Sequence, residues 1–278
     1  MALNTNAPYS SILTFLESSS AAFGIVSGGS FEAGGDITRN DGIGMQSSPS
    51  SGIAIAQFSA DIMEPTAAIL AGMLRASATH SVTAKTFECG TVDSEWTLTD
   101  CQPTGFTLRL AVGEPMSATV GFMATSVVQA VDTPPYTQAT VSGLGDKWSD
   151  IDITIDSSRY CAQSVDITLD TGAYAVSCLG TKSSGSKRQP TAVRLGNQNV
   201  TLNMTLAYQL GQATTSIYAD DFDEDIDIVI TGGNSSTVFT LSDLGTPNES
   251  MPFSGGGDLQ TFTYAFPTCA QLTALTIT

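Results

Sequence analysis

The chain has 278 residues, 41% of them hydrophobic and only 13% charged, with a net charge of −17 and a pI near 4.1. Such an excess of carboxylates argues against an outer surface built to bind nucleic acid, which needs basic side chains to meet phosphate. The apolar content suits one large β domain or two ordinary ones and exceeds that of a long disordered tail, and no run of about eighteen apolar residues is present to span a membrane.

Catalytic constellations are missing. The single histidine, His80, has no Cys or Glu at ligand spacing, which leaves a histidine triad or a multi-histidine metal site excluded or strained. Gly24 to Gly35 is rich in glycine but lacks the strand–glycine–helix order of a phosphate cradle. The reading is therefore not an enzyme, with no cofactor. The five cysteines fit no zinc spacing. Cys89 with Cys101 and Cys161 with Cys178 each bracket a possible hairpin, so disulfides and reduced thiols both stay open. The first twenty residues lack a basic segment followed by a continuous apolar one, so no secretion signal is expected.

In chain order, Ile12, Leu13, Phe15 and Leu16 form an apolar cluster, a docking arm or a first strand. Phe23 to Gln57 predicts short strands broken by turns, with Met45 to Gly52 as an exposed loop, and Gly52 to Ala60 (GIAIAQFSA) predicts a strand. After Glu64-Pro65, residues Ala67, Ile69, Leu70, Met73 and Leu74 recur at helical spacing, so one helix is expected near 65–77. Strands return at Ser81–Cys89, Glu95–Thr99, Phe106–Val112 and Ser117–Met123. Gly90, Pro103-Thr104-Gly105 and Gly113-Glu114-Pro115 read as the turns between them. Turns about every ten residues are the β-sandwich signal. Asp132-Thr133-Pro134-Pro135 predicts a stiff connector and a boundary between residues 1–135 and 136–278. The fold expected is all-β with one short helix or more, in two tandem β-sandwich domains.

The second half opens with imperfect alternation at Trp148 to Ile155. Val165, Ile167 and Leu169 then alternate with Asp166, Thr168 and Asp170 until Thr171-Gly172 supplies turn chemistry. After a basic loop, Lys182 to Arg188, come Pro190, Val193, Leu195 and a Gly196-Asn197 turn. Val200, Leu202, Met204 and Leu206 alternate with Thr201, Asn203, Thr205 and Ala207. Val165 to Leu206 thus predicts a hairpin-like unit with one core face and one polar face. Thr214 to Tyr218, Val238 to Leu241, Leu259 to Ala265 and the closing LTALTIT are further short apolar segments.

The acid run Asp220, Asp221, Asp223, Asp225 and Asp227 leads into a strand ending at Ile230. Alternate carboxylates bind calcium when a loop folds them round the ion. Here Asp223, Asp225 and Asp227 share one face of a strand, and no glycine stands where a calcium loop would bend. A solvated acidic strand is the reading; a metal would use Asp221, Asp223 and Asp225.

The order of parts in the second half resembles the major tail tube protein of long-tailed, siphovirus-like viruses of bacteria and archaea. The resemblance rests on Val165 to Leu169 ending at Gly172, Arg188-Gln189-Pro190, Val193-x-Leu195-Gly196, the strand Val200 to Leu206, and Phe222 to Ile230. The first half, with GSFEAGGDITRNDG, GIAIAQFSADI and the helix after Pro65, looks like a diverged version of the same plan. It implies β-sandwich domains of tail-tube type in a structural virion protein. Subunits of this family form hexameric rings; a chain with two such domains would form a trimeric pseudo-hexamer. Rings stack around a lumen through which viral DNA is ejected. The implied partners are other copies of the chain, other tail proteins at the tube ends, and DNA passing without specific binding, with no membrane. The implied place is the virion tail, assembled in the host cytoplasm. The lumen or interface candidates are Asp166, Asp170, Asp220, Asp223, Asp225 and Asp227. The acidity also fits a halophilic archaeal host. Two alternatives stay open: another virion β-protein (decoration, terminator or spike), or a carbohydrate-binding surface module using Trp96 or Trp148.

Overall fold

Residue alternation of period two is realised as strand after strand. The computed structural model describes residues 14–17, 25–34, 37–40, 48–51, 55–65, 67–76, 81–91, 94–130, 151–155, 158–177, 190–207, 226–232, 237–244, 247–250, 261–269 and 275–278. The first half holds β1 (Thr14–Glu17), β2 (Ile25–Gly34), β3 (Ile37–Asn40), β4 (Ser48–Ser51), β5 (Ile55–Met63), α1 (Ala67–Ala71), β6 (Lys85–Thr91), β7 (Ser94–Ala111), β8 (Ser117–Ala124) and β9 (Ser126–Ala130). The second holds β10 (Ile151–Ile155), β11 (Ser158–Tyr160), β12 (Ala162–Asp170), β13 (Tyr174–Val176), β14 (Ala192–Arg194) and β15 (Asn199–Ala207). It closes with β16 (Ile226–Gly232), β17 (Val238–Leu244), β18 (Asn248–Ser250), β19 (Thr261–Cys269) and β20 (Leu275–Ile277). The all-β expectation with one short helix is met.

Eight strands form one long sheet in the order β18-β19-β15-β12-β7-β8-β5-β2, every neighbour antiparallel. Four of them precede residue 135 and four follow it. The strands on either side of the expected boundary therefore share a sheet, through the β7–β12 pairing of Ala111 with Ser164 to Gly105 with Asp170. Asp132 to Pro135 itself lies outside the described residues. Two smaller layers cover the apolar face. One pairs β1, β6, the first half of β7 and β9; the other runs β11-β10-β16-β17-β20.

β7 corrects the expected pair of strands with a turn at Pro103-Thr104-Gly105. It is a single strand of 18 residues. Its first part pairs with β6 and β9, and its second with β8 and β12. Pro103 and Gly105 mark a register shift, not a turn. A bulge bends a strand without ending it, which also accommodates a proline that cannot donate to the ladder. β7 passes from β9 to β8 a little earlier, at Asp100 with φ 50°, and the β8–β9 connection bends opposite it: Thr125 N–H donates to the Thr99 carbonyl at 3.1 Å. Gly113-Glu114-Pro115, by contrast, is a turn, with Gly113 at φ 85° and Glu114 N–H donating to Ala111 at 3.1 Å.

Other corrections are local. The helix near 65–77 stops at Ala71, because Gly72 is a poor helix residue and the next turns tighten to i→i−3 bonds, Met73 to Leu70 and Leu74 to Ala71, both 3.1 Å. Ile69, Leu70 and Met73 are buried, and the helix packs against β20 from the far end of the chain. Part of the expected loop Met45 to Gly52 is strand: Ser48–Ser51 pairs with Ile37–Asn40. Phe15 and Leu16 of the N-terminal apolar cluster fall in β1, paired with β6, while Ile12 and Leu13 lie outside the described residues.

The core is continuous through both halves. Phe58 of β5 and Phe122 of β8 stack at 5.1 Å, and Phe87 of β6 meets Phe122 edge-on at 4.6 Å, locking the two first-half layers. The expected core residues Val165, Ile167, Leu169, Val200, Leu202, Met204 and Leu206 are all buried, facing Ile228, Phe239 and Leu241 in the same cluster. Cys101 is buried and Cys161 half-buried, and in the strand register Cys89 stands opposite Trp96 while Cys101 stands opposite Lys85.

A polar node ties the halves where β12 ends. Arg75, just after the helix turn, donates from Nη2 to the Thr171 carbonyl at 3.3 Å and to the Gly196 carbonyl, and its backbone N–H reaches Gln198 Oε1 at 3.4 Å. Thr171 in turn donates from Oγ1 to the Pro103 carbonyl. Desolvation pushes the guanidinium pKa below its ordinary value, yet an arginine stays charged. Arg75 Nε and Gln198 Nε2 are buried with no acceptor among the described residues, which offsets part of the gain. Gly196 must be glycine, since a Cβ there would lie 2.5 Å from the Gly172 carbonyl oxygen. Arg75→Ala should cost about 1–3 kcal/mol in urea unfolding. Gly105→Ala should cost more, because its φ of 149° is glycine territory and its Cβ would press into the Leu169 carbonyl across the β7–β12 junction.

Candidate functional site

The second face of the long sheet is the candidate. Alternation that buries Ala56, Phe58, Ala60 and Ile62 on β5 turns Gln57, Ser59, Asp61 and Met63 outward. The same parity on the other strands builds rungs across the sheet. One rung is Asp61–Thr119–Thr107–Thr168–Thr201 over β5, β8, β7, β12 and β15. The next is Met63–Ser117–Arg109–Asp166–Asn203–Ala265–Asn248.

Hydroxyls dominate and bond one another across strands. Thr119 Oγ1 donates to Asp61 Oδ1 at 2.7 Å, Ser30 and Ser59 hydroxyls meet at 2.9 Å, and Thr107 and Thr168 at 3.4 Å. Short hydroxyl side chains, β-branched in the threonines, suit a sheet surface and offer no fixed positive charge. The described carboxylates of this face are Glu32, Asp61, Asp166 and Asp170, against the one guanidinium of Arg109. A shallow depression at its centre is lined by Ser27, Asp61, Thr107, Arg109, Ser117, Thr119 and Asp166. The arrangement can carry a solvated, mildly acidic surface; among the described residues it has no nucleophile–base pair.

The sequence candidates divide. Asp166 and Asp170 both stand on the polar side of β12, Asp166 opposite Arg109 and Asn203, Asp170 opposite Gly105 and Asn199. Asp170 also supports the backbone, because its Oδ1 accepts the Gly172 N–H at 2.8 Å and caps the turn where Gly172 sits at φ 58°. Asp227 falls in β16, at the register shift between Ile226 and Ile228, in the covering layer rather than the long sheet. Asp220, Asp221, Asp223 and Asp225 lie outside the described residues, as do His80, Trp148 and Lys182 to Arg188. Trp96 is partly buried against the core. Asp61, Thr107, Arg109 and Thr119 were not singled out in the sequence, although the alternation of QFSADIM and TLRLA contains the signal. Asp170→Ala should cost about 1 kcal/mol in chemical denaturation, while Asp166→Ala, with no such bond, should stay within about 0.5 kcal/mol.

No curated protein matches the chain. Residues 19–268 match the family described as phage tail tube protein, a span that runs from before β2 into β19 and so covers the long sheet. The chain is thus a member of the phage tail tube protein family, a structural protein of the virion tail.

Proposed function

We propose that this chain is the major tail tube subunit of a long-tailed virus and that three copies close into a ring, with the polar face of the long sheet turned to the bore. The observation that carries this is the even, wholly antiparallel order of eight strands in which, among the described residues, β2 ends the sheet on one side and β18 on the other. In such a sheet the two edges run in opposite directions. The β2 edge of one copy can therefore pair with the β18 edge of the next and keep every neighbour antiparallel. Closure removes the unpaired edges, which are otherwise an aggregation hazard.

Size separates three copies from six. Three long sheets supply about 24 strands; at about 4.8 Å per strand and a tilt near about 40°, the backbone circle is about 48 Å across. Side chains of about 5 Å on each wall leave about 38 Å, room for a double helix. Six copies would double the circle. The two four-strand halves, β7-β8-β5-β2 and β12-β15-β19-β18, stand for the two tail-tube-type domains of 1–135 and 136–278, so a trimer presents six such units. The hydroxyl and carboxylate face suits DNA ejected without adhesion, since like charge repels phosphate. Stacked rings, contacts with other tail proteins at the tube ends, and assembly in the host cytoplasm complete the reading. The Asp-rich acidity supports a salt-rich host.

Light scattering and negative-stain microscopy of the purified chain test this. Rings of three chains, or tubes built from them, with a uniform bore near about 38 Å are expected. A ring of any other number sinks the pseudo-hexamer, and a chain that stays monomeric across salts and concentrations sinks the tube.

A further inference from the structure

One cation stands among the acids of the polar face. Arg109 lies on β7, the strand next to the junction of the halves, and is the lone basic residue among the described residues of that face. Ser117, Thr107 and Thr119 share its depression. A guanidinium with hydroxyls around it is the usual equipment for gripping a phosphate oxygen. In a ring, each copy would place its Arg109 at the same height, and the band would repeat with every ring of the tube. Such a bore should cling to DNA.

Two carboxylates stand against it. Arg109 Nε lies 3.7 Å from Glu114 Oε2. Glu114 reaches back because the turn at Gly113, with φ 85°, folds the chain over after Ala111. Asp166 is the register partner of Arg109 on β12, at the Cβ spacing of about 5 Å typical of facing pairs. The Arg109–Glu114 pair is more than half exposed, at 59% and 57%, so it adds little to folding. Its electrostatic consequence reaches further: two negative charges close to one positive leave a phosphate, at distances up to the screening length of about 8 Å, facing net repulsion.

We propose that Glu114 and Asp166 screen Arg109, converting a phosphate-binding band into a non-adhesive one, so that the duplex slides through the tube. This rests on the bore reading above. The ligand class is the phosphate backbone of double-stranded DNA, met without regard to sequence.

The test uses tubes assembled from the full chain and a fluorescent linear duplex. Parent tubes should retain almost none. Glu114→Gln with Asp166→Asn should raise retention about tenfold or more at low salt, and the gain should vanish as salt rises, because phosphate contacts exchange with counterions. Adding Arg109→Gln to that double variant should return retention to the parent level. A double variant that assembles with normal bore and melting temperature yet retains no more duplex than the parent overturns the screening proposal. So does retention that survives Arg109→Gln. Thr168→Cys separates this from failure of the bore reading. In intact tubes it should react with a small maleimide and resist a polymer-linked maleimide too large to enter. Ready reaction with the large reagent puts this face outside and overturns both, as does a chain that builds no tube.

Discussion

The antiparallel pairing of β7 with β12 is the constraint on which the rest depends. It joins four strands from the first half of the chain to four from the second, over seven consecutive residue pairs. Without it there would be two short sheets, each with a further open edge. With it, the polar residues of both halves fall into common rungs, and the long sheet has just two ends. The junction is narrow in its tolerances. Gly105 faces Asp170 at its lower end with no room for a side chain, and the turn at Gly113 closes its upper end, where Val112 N–H donates to Gln163 at 3.0 Å.

β7 serves two layers because it bends. Its first part belongs to a covering layer and its second to the long sheet, so one chain segment spans the thickness of the sandwich. The change of layer falls at Asp100, with φ 50°, where Thr125 follows it from the neighbouring hairpin, and the register shift at Pro103 and Gly105 comes just after. The Phe58, Phe87 and Phe122 cluster then holds the layers together. Helix α1 and Arg75 link the halves on the other side. The helix packs against β20, and the guanidinium bonds the turns that end β12 and precede β15. Two covering layers and one shared sheet give a stiff plate rather than two beads on a string.

The charge pattern follows the same architecture. The carboxylates Asp61, Asp166 and Asp170 project from one face because strand parity puts them there, and the hydroxyl rungs between them spread that charge thinly. Asp170 doubles as a turn cap, so its carboxylate would be kept for backbone reasons even on a face with no DNA to repel. Arg109 breaks the pattern, and the turn residue Glu114 answers it within the same chain. The pair evens out the charge of the face at the scale of the screening length without removing the arginine.

Much of this was legible in the residue order. Alternation of period two in Val165–Leu169 and Val200–Leu206 determined strand type, core face and polar face, since side-chain parity in a strand is a local property of the backbone. The tertiary structure decided what local rules leave open. Pro103-Thr104-Gly105 has turn composition, yet pairing with β8 and β12 kept the chain extended through a bulge. The expected helix stopped at Ala71, where Gly72 and the tighter i→i−3 turns end it. The acidic strand at Asp227 went to the covering layer, while Asp61 and Arg109, unremarked in the sequence, came to the centre of the long sheet. Which strands become neighbours depends on pairings between residues far apart in the chain, and no window of sequence contains both partners.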